Sequence, residues 1–318
     1  MGRRFAARLG SSIVVTYVVA TIAFFVIRAT PGEPFAYDGR PLRAEVKDRL
    51  RKEAGYDQPL VVQYGRYLAN VSRGKFGWSH SKQQYVGTLI ADALPRTLLL
   101  AGLSLVLSIV VGSAIGVLQA TRGGWFDRGS SGVLLFFYSL PDFWGALMIL
   151  TIFSAWLPLL PSGNIVDAMH EYMSGGQAFV DRIKHLVLPV ASLTVLSLAG
   201  IARYQRAAML DVLPADFVRT ARAKGVSEHA VVWRHALRNA LTPMITILGL
   251  TLPAFLGGVV FIERVFNWPG LGMLATGAIA SSDYDLVTGT VFVGAVIVII
   301  GNLLSDLLQM TLDPRIRE

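Results

Sequence analysis

Catalysis needs a nucleophile, a metal-ligand set, a phosphate cradle or paired acids, and these 318 residues supply almost none of them. There is no Cys, which excludes thiol catalysis, thiolate metal sites and disulfide frameworks. The five histidines, His80, His170, His185, His229 and His235, form no His-Glu-x-x-His pattern or other compact ligand set. No metal site or hydrolase is therefore expected. A Gly-x-x-x-x-Gly-Lys-Ser/Thr loop is also missing, so the chain is not expected to bind nucleotide phosphates itself. What remains is a few polar groups in apolar surroundings and one basic run, Asp216 to Ala240. Ionisable groups inside apolar spans are costly and are read first as functional. Asp142 and Asn302 are the candidates for lining a water-filled path. Asp306 lies near the inner end of the last apolar stretch, where a cap or a partner such as Arg315 could satisfy it.

The elements that must position these groups belong to a membrane protein. Hydrophobic residues make up 53% of the chain and charged residues only 16%, with a mean hydropathy of +0.52. That balance predicts an all-α, polytopic membrane fold. A bilayer core takes about 20 apolar residues per helix. Six stretches qualify: Leu9–Ile27, Thr97–Ala120, Gly132–Leu157, Leu186–Ala208, Leu241–Ile262 and Leu286–Gln309. The first is too long for a signal-peptide core and has no cleavage site after it, so it is read as a retained span. The formal charge of +8 is explained by orientation of the spans, not by nucleic acid. Arg3, Arg4 and Arg8, the Arg122–Arg128 loop, the Arg203–Arg238 region, and Arg315 with Arg317 all fall on one side. The positive-inside rule makes that side cytoplasmic, with both termini there.

Three regions follow: residues 1–28, a cytoplasmic N-terminus and first span; residues 29–96, an extracytoplasmic segment; and residues 97–318, the core, with a polar loop at 210–240. The outer segment predicts an amphipathic helix at Leu42–Ala54, a turn at Gly55–Pro59 and a second helix at Leu60–Val71, together forming a small cap. Asn70-Val-Ser72 matches a glycosylation triplet and carries little weight. Gly112 and Gly116 permit close helix contact. Trp268-Pro-Gly-Leu-Gly272 is either a re-entrant turn or an interfacial turn anchored by Trp268.

The polar loop reads as a helical hairpin. Pro214 can begin a helix, Asp216 can cap or charge its N-terminus, and Gly225 fits a C-terminal stop. Ser227 then starts a second helix with Ala230, Val231, Trp233, Leu237 and Leu241 on its apolar face. On physical grounds two readings stand. One is an interfacial helix held to anionic lipid by Arg219, Arg222 and Lys224, and the other is a helix that docks a protein. His229 and His235 read as surface or packing residues.

Arg219-Thr-Ala-Arg-Ala-Lys-Gly-Val-Ser227, followed by Arg234-His-Ala-Leu-Arg-Asn-Ala-Leu-Thr-Pro243, resembles the coupling loop of ABC-importer permeases. The similarity is greatest to the B-type permeases of the dipeptide, oligopeptide and nickel family. Gly55–Tyr64, Leu94–Leu98, Glu263–Gly272 and Leu312–Arg317 resemble that family in the same order, so the likeness covers nearly the whole chain. The general importer pattern has Glu-Ala-Ala-x-x-x-Gly and a later Pro. Here Arg219-Thr220-Ala221 stands at the first three positions, Gly225 at the Gly, and the Glu and late Pro are absent from their usual places.

The resemblance implies a permease subunit for di- or oligopeptides that forms half of a translocation path. It implies a second homologous permease, two cytosolic ATPase domains that hydrolyse ATP, an extracytoplasmic substrate-binding protein, and membrane lipid around the spans. No cofactor belongs to this chain, and nucleic acid is not a partner. The ATPase-coupling set it implies is Asp216, Arg219, Thr220, Ala221, Arg222, Lys224 and Gly225. Arg219, Arg222 and Lys224 would be the polar contacts, and Ala221 and Gly225 would allow close approach. Nickel chelates, glutathione or another small solute remain alternative cargoes. A secondary transporter and a non-transporting membrane receptor are the other classes, although the chain has few intramembrane charges and no internal repeat.

Overall fold

The computed structural model describes residues 2–29, 44–53 and 55–312. Arg315, Arg317 and residues 30–43 of the expected outer segment lie outside it, as do the side chains of Arg3 and Arg4. In chain order the elements are α1 (Gly2–Ala29), α2 (Ala44–Glu53), α3 (Leu60–Val71), β1 (Trp78–Ser79), β2 (Gln84–Tyr85), α4 (Val86–Arg122), α5 (Gly124–Ser139), α6 (Asp142–Leu150), α7 (Gly175–Val212), α8 (Asp216–Ala223), α9 (Glu228–Ala230), α10 (Leu237–Val265), α11 (Leu271–Ala280) and α12 (Tyr284–Leu312). The only sheet among the described residues is the β1–β2 hairpin, so the fold is all-α.

Among the described residues, four helices are long and apolar enough to cross a bilayer: α1, α4, α7 and α12. A fifth crossing is reached if α5 and α6 count as one. The sixth expected span, Leu241–Ile262, lies in α10, a helix of 29 residues, but many of its central side chains lie outside the described set. Of the six spans expected from hydropathy, the described residues therefore show four, or five with the bent pair.

The expected third span is not one helix. It breaks between α5 and α6 with a bend of 106°. The cause is local: Leu140 precedes a proline and is extended (φ −81°, ψ 139°), and Pro141 is extended too. Asp142 consequently opens α6 and does not sit within a continuous span. Its charge faces the positive end of a helix, which lowers the cost of holding it there.

Two compact units make up the chain. The first contains residues 1–97 and 269–300, and the second contains residues 98–268 and 301–318. In the first unit, Tyr17 and Thr21 of α1 hydrogen-bond Ser72 and Tyr64, and Phe24 stacks on Tyr67. The β-hairpin is fixed to the start of α12: Asp283 Oδ2 accepts hydrogen bonds from Ser79 Oγ (2.6 Å), Ser81 N (3.0 Å) and Ser81 Oγ (2.7 Å). Thr97 Oγ1 accepts from the Leu271 amide at 2.7 Å.

The second unit is built on α7. A capping box of Ser174 and Gln177 starts this helix well before the expected Leu186. Its middle packs with α6 and α10 around Ala146, Leu188, Leu193, Ile262 and Phe266. Trp268 is buried in this cluster, so it is a core residue and not an interfacial anchor. Nearer its C-terminus, α7 crosses α4 at Gly116. A β-carbon there would stand 2.5 Å from the Ala202 carbonyl oxygen, so only Gly permits the approach.

Candidate functional site

The polar loop folds as the expected hairpin, and its turn can be followed bond by bond. Pro214 lies in the connection after α7, and Ala215 takes the cap position of α8, so Pro214 begins no helix. Asp216 makes no side-chain cap bond; it places a negative charge in the first turn, where the helix dipole favours it. The Gly225 amide donates to the Arg222 carbonyl (3.0 Å), and the Val226 amide donates to the Ala221 carbonyl (3.2 Å). With Gly225 at φ +75°, this is a Schellman stop. Val226 and Ala221 supply the apolar contact that goes with it.

One face of the hairpin is apolar and covered. Val218, Ala221, Val231, Val232, Ala236 and Ala240 are buried against Val117 of α4 and Met209 of α7. The hairpin is thereby packed directly onto the ends of two spans. Ala221 faces inward, so its small size brings α8 close to α4 and α7 and does not serve an outside partner.

The other face is charged and open. Arg219, Thr220 and Arg222 are exposed on α8, along with Phe217 at 44% exposure, and Lys224 is exposed at its C-cap. Thr220 Oγ1 bonds the Asp216 carbonyl at 2.8 Å, and Arg219 stands 3.8 Å from Asp216 in open solvent. Arg222 makes a two-point pair with Glu228 across the turn, which occupies part of its guanidinium. The guanidinium holds the Glu228 carboxyl below its usual range, and the carboxylate raises Arg222 in turn.

Trp233 was expected to face inward, but it is exposed on the open face and sits 6.2 Å from the His229 ring. The reason is a π-helical turn over Val231–Ala236, closed by the Leu237 amide on the Val232 carbonyl. One extra residue in the turn shifts Val232 inward and Trp233 outward. Phe217 was not singled out from sequence either. The signal that finds it is a large aromatic between Asp216 and Val218 on a helix with only one covered side.

The path candidates are not joined into one site: among the described residues no hydrogen bond or ion pair links Asp142 to Asn302. Asp142 is exposed, with Oδ2 3.3 Å from where a β-carbon on Gly258 of α10 would stand. Asn302 is half-buried and its Oδ1 lacks a hydrogen-bond partner.

Other polar groups are brought together without notice from the sequence. Arg206 of α7 makes a two-point pair with Asp127 of α5, at 2.7 and 2.6 Å. His170 and His185 both place Nδ1 against Asp181, at 2.6 and 3.1 Å. His185 Nδ1 is also 2.9 Å from the Asp181 backbone carbonyl, and the Asp167 amide donates to Asp181 Oδ2 at 3.1 Å, so Asp167 and His170 tie the 158–174 connection to α7 through Asp181.

A family model described as "Binding-protein-dependent transport system inner membrane component" matches residues 93–318, and the N-terminal model of the same system matches residues 1–101. The chain belongs to this family. Its members are membrane permease components of ABC transporters, so this is a multi-pass membrane permease. It is 37% identical over 308 residues to the "Oligopeptide transport system permease protein AppB" of Bacillus subtilis, covering 96% of each chain. It is 36% identical to the "Di/tripeptide transport system permease protein DppB" of Pseudomonas aeruginosa, covering 98% of each. A "Putative peptide permease protein" of Brucella ovis is 39% identical over 317 residues, with 97% of this chain and 96% of that one covered. Among solved structures, two inward-facing forms of the MetNI methionine ABC transporter match with TM-scores of 0.52 and 0.56, at 18% and 20% identity. Each covers 71% of this permease and 96% of the other chain, which shows the shared fold.

Proposed function

We propose that this chain is the permease subunit of an ABC importer for di- or oligopeptides. It would pair with a second, homologous permease and receive substrate from an extracytoplasmic binding protein. Two cytosolic ATPase domains would hydrolyse ATP on its behalf, and both termini would lie on the cytoplasmic side of the cell membrane. Relatives with peptide-transport names at 36–39% identity over nearly their full lengths support the cargo.

The observation that carries the mechanism is the two-faced hairpin. Its apolar face is packed on α4 and α7, and its open face offers Phe217, Arg219, Arg222, Lys224 and Trp233 to an aqueous partner. An ATPase that closes on that open face would pull on the ends of two spans through buried contacts. Coupling of this kind requires contacts that differ between the two states. The paired carboxylate and guanidinium of Glu228 and Arg222 stiffen the turn, so the force is transmitted and not absorbed. Asp142, exposed at the α5–α6 break beside Gly258, would line the path and meet the ammonium end of a peptide, with Asn302 as a second polar contact.

The test is uptake of a labelled dipeptide and stimulated ATPase activity by the reconstituted transporter, comparing the native chain with Gly225→Val. Loss of uptake with the assembly intact supports the reading. Unchanged uptake and unchanged stimulation would overturn it.

A further inference from the structure

Two cavities in the first unit share a wall near the Arg28 end of α1. One, of about 250 Å3, is polar: Arg28, Gln63, Arg66, Tyr67, Lys75 and Asp285 line it. The other, of about 490 Å3, is an apolar groove between α1 and α12, lined by Val19, Ile22, Val26, Val287 and Val291. Ile27 and Tyr284 line both, so a single molecule can occupy the two.

The polar cavity is built for a ligand it does not supply itself. Three cations and one carboxylate line it, a net positive balance. Arg28 is held in place with its guanidinium 3.8 Å over the Tyr56 ring. The Tyr67 hydroxyl is buried and has no hydrogen-bond partner. Burial pushes its pKa up to about 12, so it keeps its proton and is a donor in search of an acceptor. Gln63 uses its amide nitrogen on the Tyr56 and Gln58 carbonyls, at 3.2 and 2.7 Å. Its Oε1 is left buried and unpartnered, an acceptor in search of a donor. The groove runs along α1, a membrane-spanning helix, so it faces hydrocarbon.

We propose that the paired cavities bind one diacyl phospholipid in the leaflet at the Arg28 end of α1. The phosphodiester sits against Arg28, Arg66, Lys75 and the Tyr67 hydroxyl. A headgroup hydroxyl or ammonium donates to Gln63 Oε1 and Asp285, and one acyl chain lies in the groove. A free anion would use only the cations, whereas the adjoining groove selects a molecule with a tail. Gln63 Oε1 and Asp285 select a headgroup with donors, so phosphatidylglycerol and phosphatidylethanolamine are preferred over phosphatidylcholine.

The experiment is native mass spectrometry of the full-length chain with its co-purifying subunits, delipidated in detergent and titrated with each of these lipids carrying identical dioleoyl chains. The two donor-bearing lipids are expected to be retained about tenfold better than phosphatidylcholine, as fits loss of a hydrogen bond to a charged group. Arg28 also packs on Tyr56, so the decisive variant is Tyr67→Phe, which removes one oxygen. It should weaken retention about tenfold without changing the melting temperature. Ile22→Trp, which fills the groove, should abolish retention, and Val133→Trp on α5 should not. Equal retention of phosphatidylcholine, or unchanged retention in both Tyr67→Phe and Ile22→Trp, would overturn the proposal. So would full displacement by glycerol 1-phosphate, which would mark an anion site, or quantitative cross-linking of Ile22→Cys to a second permease chain.

Discussion

Arg222 holds Glu228 by two hydrogen bonds, Nε at 3.0 Å and Nη2 at 2.7 Å, and the pair bridges the turn at Gly225. Two short helices, each too short to be stable alone, are thereby joined into one lever.

The pair makes the hairpin sensitive to acid. Because Arg222 lowers the Glu228 pKa in the folded chain, its stabilisation is present at neutral pH, above the unfolded value of 4.5. It is lost as pH falls through the lowered folded value. Exchange at the Gly225 and Val226 amides, taken relative to the intrinsic rate of an unfolded amide at each pH, should be flat from neutral to mildly acidic pH and rise at lower pH. Glu228→Gln should exchange faster at neutral pH and show no such rise. If its profile matches the native one, the pair is not what orders the turn.

Gly225→Val puts a β-branched residue at φ +75°. No atom lies within 4 Å of the added β-carbon, so the cost is backbone strain alone, about 1–2 kcal/mol. The lever should unwind locally while the spans stay folded. Faster exchange confined to residues 216–236, with an unchanged melting temperature, is the expected result.

Phe217 and Trp233 are 44% and 36% exposed and lie outside the buried core, so Phe217→Ala and Trp233→Ala should lower stability by about 1–2 kcal/mol, less than loss of a fully buried aromatic. If they anchor the ATPase, each should weaken its binding to the permease by about tenfold or more. Pull-down titrations of the ATPase against detergent-solubilised permease measure this. Binding equal to the native chain in the double variant would remove both from the interface.

Gly116→Ala should destabilise the chain by about 1–3 kcal/mol, since its methyl meets the Ala202 carbonyl and the Arg206 amide at 2.5 and 2.9 Å. Gly129→Ala, with nothing within 4 Å, should be neutral or slightly stabilising. The difference is read as a drop in melting temperature for the first variant alone.

Much of the hairpin was legible in the sequence because its signals are local. Gly225 as a stop and Ser227 as the next start depend only on neighbouring residues, and both hold. Which face of α8 is covered depends on Val117, far away in the chain, and on how the connection after α7 folds α8 back onto Met209, so the inward Ala221 and outward Phe217 were not readable. Trp233 was misplaced because hydropathy periodicity assumes a regular turn, and the Val231–Ala236 segment has a wider one. The break at Leu140–Pro141 did have a local signal, but a hydropathy window averages over it. Asp127 and Arg206 meet across 79 residues, a pairing that no spacing rule encodes.

The latch between Ser79, Ser81 and Asp283 has a consequence for synthesis. Its partners are separated by 202 to 204 residues, and the first unit takes its last pieces from residues 269–300. At about 5–20 residues per second, the β-hairpin emerges from the ribosome roughly 10–40 seconds before its acceptor does. The second unit's α7 and hairpin are complete by then. The segment made first waits for residues made near the end of the chain, and until Asp283 arrives its two serine hydroxyls must be served by water or by a chaperone.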